Sequence, residues 1–284
     1  MKILSPAKVN LCLEILGKRR DGYHKIRTVF ERIRLFDRIE LKKAASGIRI
    51  ESASKEIPRG PKNLAYKAAK LLLEKSKARR GVVITLKKNI PVSAGLGGGS
   101  SNAAAVLLGL NRLWRLGYSQ KKLMKLGARL GSDVPFFILN ASFALGSGRG
   151  EMLKKIPAQK VRLWHCIVKP PFGISTKEAY RAFDSTFLTP KKTDVKMLIQ
   201  SIQKGRSGVI GKLLINSLEV SLDKRVKTIF KIKDKLKLLG AFGALMSGSG
   251  SAVFGLYESK SAAELAARVL KKNKQWRVWV ASTY

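Results

Sequence analysis

"PVSAGLGGGSSNAAAVLLGLNRLW", residues 91–114, sets four glycines within five positions immediately ahead of an alanine-rich apolar run. An ordinary turn into a helix needs one or two glycines. A helix start leaves backbone N–H groups unpaired and carries a partial positive charge, so a glycine loop feeding a helix is a ready site for phosphate. Gly95, Gly97, Gly98 and Gly99 form the expected loop, because without a Cβ the backbone can approach oxygen atoms closely. Ser100 and Ser101 supply hydroxyls, and the helix is expected from near Ser101 onward. The plainer alternative is a tight turn with a serine N-cap. Neither G-x-x-x-x-G-K-[ST] nor a complete G-x-G-x-x-G is present, since the latter pattern, started at Gly95, ends on Ser100.

Working outward, the segments mix strands and helices. In "KVNLCLEIL", Val9, Leu11, Leu13 and Ile15 alternate with Lys8, Asn10, Cys12 and Glu14, the period of a half-buried strand with Lys8 and Asn10 on one face. A helix is expected from Asn63, a strand from Gly81, and a helix from Ser119 to about Leu130, stopped by Gly131. A second half begins with a strand at about Val161. It continues with a capping box at Ser175 and Glu178, helical segments to about Gly240, the stretch "GALMSGSGSAVFGLY", a helix opened by Ser261 with Glu264, and a last strand "WRVWVAS". The pattern is α+β in two lobes, without regular βαβ alternation.

Composition bounds the function. The chain has 284 residues, 45% hydrophobic and 26% charged, enough for an ordinary core. No apolar run approaches ~20 residues, and a cytoplasmic location is expected. Two cysteines and two histidines are too few for a disulfide framework or a Cys/His metal cluster. The balance of 57 Lys and Arg against 18 Asp and Glu gives +39. Such a charge attracts nucleic acid and also steers small polyanions. The basic residues are scattered through the chain rather than gathered in a patch, so nucleic acid is neither expected nor excluded.

The residues carry a family resemblance. "PVSAGLGGGSSNAAA" resembles the central phosphate-binding motif of the GHMP kinases, "SPAKVNLCLEIL" their first motif, and "GALMSGSGSAVFGLY" their third, in family order along nearly the whole chain. "GGGSSN", with "RRDGYHKIRTVF" at 19–30 and "GSDVPFF" at 131–137, is similar to the branch that acts on a cytidine-diphosphate-linked methylerythritol in the non-mevalonate isoprenoid pathway. The resemblance implies a two-lobed fold: residues 1–157 like ribosomal protein S5 domain 2, residues 158–284 an α+β, ferredoxin-like lobe, with ATP and substrate meeting between them. It implies transfer of the ATP γ-phosphoryl group to the 2-hydroxyl of the methylerythritol moiety.

It also implies roles. Asp133 is the expected base and Lys8 its partner. Taken without the resemblance, Asp133 reads first as an N-cap or turn residue, with Pro135 biasing Val134 toward extended geometry and a short loop. Pro91, Leu96 and Asn102 join the glycines and serines as expected ATP contacts, as do Asn63 and Lys88. Asn10, Tyr23, His24, Tyr180, Ser247 and Gly248 are expected on the substrate. Magnesium is expected with ATP, near Ser101 if it touches the protein. The remaining alternatives are a homoserine- or mevalonate-type GHMP kinase and a non-catalytic basic RNA-binding relative. A monomer and a homodimer are both compatible with the sequence.

Overall fold

The computed structural model describes all residues except 77–79, 159–160, 186–191 and 222–224. The elements run, in order, β1 (Lys2–Lys18), β2 (His24–Ala44), β3 (Ile48–Glu51), α1 (Leu64–Ser76), β4 (Gly81–Lys87), α2 (Gly98–Leu113), α3 (Gln120–Ala128), α4 (Val134–Leu139), β5 (Phe143–Ser147), β6 (Met152–Lys155), β7 (Trp164–Lys169), α5 (Thr176–Asp184), α6 (Val195–Gln203), α7 (Ser207–Lys212), β8 (Ile215–Asn216), a 3-10 turn at Ser217–Ser221, α8 (Arg225–Leu238), β9 (Gly243–Met246), β10 (Val253–Tyr257), α9 (Lys260–Leu270) and β11 (Arg277–Ser282). They divide into two compact units. One comprises Met1–Ala7, Leu35–Val92 and Gly97–Ala141; the other comprises Lys8–Arg34, Ser93–Leu96 and Ser142–Tyr284.

In the first unit β4 pairs antiparallel with the later half of β2 (Ile39 opposite Leu86) and parallel with β3 (Ile50 opposite Ile84). Helix α2 is buried along Ser101–Leu107, and its small residues explain how. A Cβ built on Gly109 would lie 2.5 Å from side-chain carbons of Ile3 and Leu41, so the backbone at that turn rests directly on strand residues. A larger side chain there would force those terminal methyls, or the helix, to shift. Helices α1 and α4 pack on α2.

In the second unit the early half of β2 pairs with β5, and β5 with β6. Strands β11, β7, β10 and β9 form, in that order, an antiparallel four-stranded sheet. Ile229, Ile232 and Leu236 of α8 and Ala263, Ala266 and Leu270 of α9 close over Cys166, Val168, Val253 and Tyr257 in one apolar core.

Several expectations need correcting. Strand β1 is not half-buried: Lys8, Asn10, Cys12 and Glu14 are as buried as the apolar residues between them. The alternation is real, but the polar side chains are hydrogen-bonded inside rather than solvated, as burial demands of them. Helix α2 starts three residues before Ser101, with Gly97 as N-cap at φ 69°. Val134 opens helix α4 instead of an extended loop; Pro135 falls in the first turn, where its missing N–H costs nothing. The cap of α9 is Ser259, which accepts from the Ala262 N–H, while the Ser261 hydroxyl bonds Ser259. The strand expected from Val161 starts at Trp164. The capping box on α5, with Ser175 and Glu178 bonded reciprocally, is as expected.

Candidate active site

The glycine loop enters α2 through a residue with no side chain. Gly97 offers no capping oxygen to the first N–H groups of the helix, so nothing from the cap competes with an anion there. Gly99 faces solvent and Ser100 is half-buried. A Cβ on Gly98 would lie 3.0 Å from Ile90 and 3.3 Å from Lys88 Nζ, so a lysine ammonium stands immediately beneath the loop. Gly131, at the head of "GSDVPFF", approaches the same helix start, since a Cβ on it would sit 3.8 Å from Ser100 Oγ. Asp133 occupies the N-cap position of α4, yet its carboxylate makes no capping hydrogen bond. The N-cap role that position alone suggests is therefore not how the side chain is used.

Behind the loop lies a buried network that sequence reasoning did not foresee. Asp37, fully buried, accepts from the backbone N–H groups of Asn89 (2.8 Å) and Ile90 (2.9 Å), forms a short ion pair with Lys88, and accepts from Asn102 Nδ2 at 2.9 Å. Lys88 also donates to Asn102 Oδ1, and Ser5 donates to Ser101 Oγ at 2.7 Å. Ser101 and Asn102 thus face inward and brace the loop from below. Asn63 is likewise committed: its Oδ1 accepts from the Ala65 N–H and its Nδ2 donates to the Pro58 carbonyl, which caps the start of α1. The signal for Asp37 was an acid in phase with the apolar residues Leu35, Ile39 and Leu41 of a strand, "RLFDRIEL".

In the second unit Lys8 is the head of a polar chain. Its Nζ donates to Asn10 Oδ1 at 2.5 Å, Asn10 donates to Thr28 Oγ1 at 2.8 Å, and Thr28 donates to the Cys12 carbonyl at 2.6 Å. The chain fixes the ammonium along the strand, with the Phe30 ring centroid 5.7 Å from it. The Gly248 backbone closes on the same two side chains, and Ser247 Oγ donates to the Gly95 carbonyl at 3.0 Å. Asn216, on β8, holds that turn by donating to the carbonyls of Met246 and Gly248. Leu96 contributes through its carbonyl, which accepts the Lys8 N–H. Pro91 is buried at the loop's entrance.

The structure brings His24 and Tyr180 together as a stacked pair, centroids 4.9 Å apart, with the Phe183 ring edge-on to His24 at 6.2 Å. Tyr23 is exposed, its ring under the Arg149 guanidinium at 4.9 Å. Neither Phe183 nor Arg149 was expected here. Cys12, whose carbonyl ends the Lys8 chain, and Cys166 both have buried thiols, and burial pushes each up to about 12.

The sequence matches the GHMP kinases N terminal domain over residues 63–141 and the GHMP kinases C terminal domain over 198–275. Fold and loop together define a GHMP kinase. A 4-diphosphocytidyl-2-C-methyl-D-erythritol kinase from Pelotomaculum thermopropionicum is 46% identical over 275 residues, spanning 96% of this chain and 94% of that one. A crystal structure of a 4-(cytidine 5'-diphospho)-2C-methyl-D-erythritol kinase superposes with a TM-score of 0.83 at 36% identity, covering 99% and 98% of the two chains. A homoserine kinase from Cytophaga hutchinsonii, at 20% identity and a TM-score of 0.73 over 100% and 94%, shares the fold alone. The chain belongs to the 4-diphosphocytidyl-2-C-methyl-D-erythritol kinase family. No helix among the described residues is long and apolar enough to cross a membrane.

Proposed function

We propose that the protein phosphorylates the 2-hydroxyl of 4-(cytidine 5'-diphospho)-2-C-methyl-D-erythritol at the expense of ATP, giving the 2-phosphate and ADP, in the cytoplasm as a step toward isoprenoid precursors. The observation that carries this reading is the 46% identity running nearly end to end with a relative of that name. The GHMP N- and C-terminal matches fall on either side of residue 157, and lobes at 1–157 and 158–284 belong to the same reading, although Lys8–Arg34 and residues 142–157 cluster with the later residues.

Bound ATP supplies the γ-phosphoryl group as the electrophile. Phosphoryl transfer asks the protein for position and charge neutralisation, with one group to take the hydroxyl proton. The start of α2 fits a polyphosphate: its cap has no side chain, Gly99 is open, and Lys88 lies beneath. In this reading the N–H groups of Gly98, Gly99 and Ser100 hold phosphate oxygens, while Ser101 and Asn102 keep the loop in shape. Asp133 accepts the proton of the attacking hydroxyl, and Lys8, aimed by Asn10 and Thr28, stabilises charge developing on that oxygen. Gly248 and Ser247 wall the lysine. Tyr23, His24 and Tyr180 receive the cytidyl group, aromatic faces being suited to a base.

Among the described residues no three His, Cys, Asp or Glu gather to hold a metal. Mg²⁺ usually takes one or two protein oxygens and completes its shell with water and phosphate, so it enters with ATP. The chemistry needs no macromolecular partner and proceeds in a monomer or a homodimer. The test is a panel of alcohols, the cytidyl substrate beside homoserine and mevalonate, with ATP and magnesium. Turnover of the cytidyl alcohol alone is expected; turnover of another alcohol in its place overturns the reading.

A further inference from the structure

The aromatic corner ends in a carboxylate to which the reaction assigns no role. Asp184 is the last residue of α5, one turn beyond Tyr180 on the same side of the helix. Its Oδ1 lies 2.6 Å from His24 Nε2 and its Oδ2 lies 2.6 Å from Lys18 Nζ. The His24 side chain is only 6% exposed, with Tyr180 stacked on it and Phe183 at its edge.

A carboxylate accepts and cannot donate, so the bond to Asp184 requires the proton of a neutral His24 ring to sit on Nε2 and leaves Nδ1 as the acceptor. Without that bond the imidazole exchanges between two tautomers and two ring orientations, and the Tyr180 ring that stacks on it loses a fixed neighbour. The Lys18 ammonium, with His24 adding to it, holds the Asp184 carboxyl below the usual carboxylate range, so it remains an acceptor at neutral pH. The Lys18 end of the arrangement is 61% exposed, and an ion pair that open contributes little to stability. Stability is thus a poor account of why Lys18 joins the part-buried His24–Asp184 pair.

We propose that Asp184 is a positioning residue for substrate recognition: it fixes the tautomer and plane of His24, and through the stack the attitude of Tyr180, so that the cytidyl group meets an aromatic pair already in place. The inference rests on the reading of His24 and Tyr180 as the cytidyl site. Preorganisation of this kind lowers the ordering cost of binding and leaves the chemical step alone.

Asp184→Ala and Asp184→Asn, made in the full chain, separate the possibilities. The alanine variant is expected to raise KM for the cytidyl alcohol about tenfold, with kcat and KM for ATP within about twofold. Asparagine keeps an acceptor oxygen and is expected to recover most of the loss. The chain has two histidines, His24 and His165, so ¹⁵N spectra of the rings are assignable by comparison with His24→Ala. With the ring neutral, His24 should appear as the Nε2-protonated form in wild type and average between tautomers in Asp184→Ala, while the amide of Asp184→Asn, donor and acceptor both, holds the ring plane without fixing one tautomer. Parallel rises in both KM values with a lowered Tm would mean that Asp184 only supports the fold. A tautomer unchanged in Asp184→Ala, or a changed tautomer with an unchanged KM, would also overturn the proposal. Absence of cytidyl phosphorylation by the wild-type enzyme would instead strike the functional reading, while the ring spectra would still decide whether Asp184 orders His24.

Discussion

Gly248 lies against Lys8 so closely that a Cβ built on it would be 3.1 Å from the lysine Nζ and 3.2 Å from Asn10 Oδ1. Its φ of +55° adds a second constraint, since side chains other than glycine, asparagine and aspartate seldom adopt it. Gly248→Ala is therefore expected to lower stability by about 1 kcal/mol and to lower kcat by displacing the ammonium. Wild-type kcat with a reduced Tm would show that Lys8 need not sit where the glycine lets it.

The loop calls for a different substitution. Gly98 is a poor probe, because its Cβ would press on Ile90 and Lys88. At Gly99 the added carbon would meet Leu64 Cδ1 at an ordinary 3.5 Å and otherwise point outward. Gly99→Ala should leave Tm unchanged or slightly raised, since alanine favours helix over glycine, and should raise KM for ATP severalfold. An unchanged nucleotide affinity would count against phosphate at the start of α2.

What the sequence disclosed here, and what it withheld, follows from the reach of each signal. The loop, the capping box at Ser175 and the helix from Asn63 are local patterns, and the structure repeats them within one to three residues. The 21-residue strand β2 escaped notice because residues 28–33 are buried on both faces and the acids Glu31 and Asp37 are buried with internal partners, which masks the period over that stretch. Asp37 and Asp184 are partners by contact across 51 and 160 residues, to Lys88 and His24, and no spacing rule links such pairs. The roles of Lys8 and Asp133 came from motif resemblance; geometry added the chain that aims Lys8 and the missing cap bond at Asp133.

Asp37 is expected to be the costliest polar residue in the first unit. Asp37→Leu would leave Lys88 buried without its carboxylate and two backbone N–H groups without an acceptor, a loss on the order of 3–5 kcal/mol for the ion pair alone. Asp37→Asn retains acceptor capacity and should lose less. Urea denaturation measures both; equal midpoints for the two variants would contradict the network.

The two thiols make a convenient folding probe. Held near 12 by burial, Cys12 and Cys166 carry almost no thiolate at pH 8, whereas an unfolded cysteine is appreciably ionised there. A disulfide reagent should modify neither in the native protein and both in urea, at a rate that follows unfolding. Rapid modification of the native enzyme would mean that one of the two core strands opens readily.

The remaining prediction concerns the base. If Asp133 takes the proton of the substrate hydroxyl, Asp133→Asn should lower kcat by at least ~100-fold with little change in either KM, because the amide keeps the shape and cannot accept the proton. Its carboxylate makes no capping bond to α4, so the same substitution should not show the ~1 kcal/mol loss of a broken helix cap. Lys8→Ala should lower kcat as well, and the double variant should lose less than the product of the two single losses if lysine and aspartate act as one unit. A merely electrostatic Asp133 would show an intermediate fall in kcat. Fully multiplicative losses would mean that the two residues act independently, and near-wild-type turnover in Asp133→Asn would place the base elsewhere.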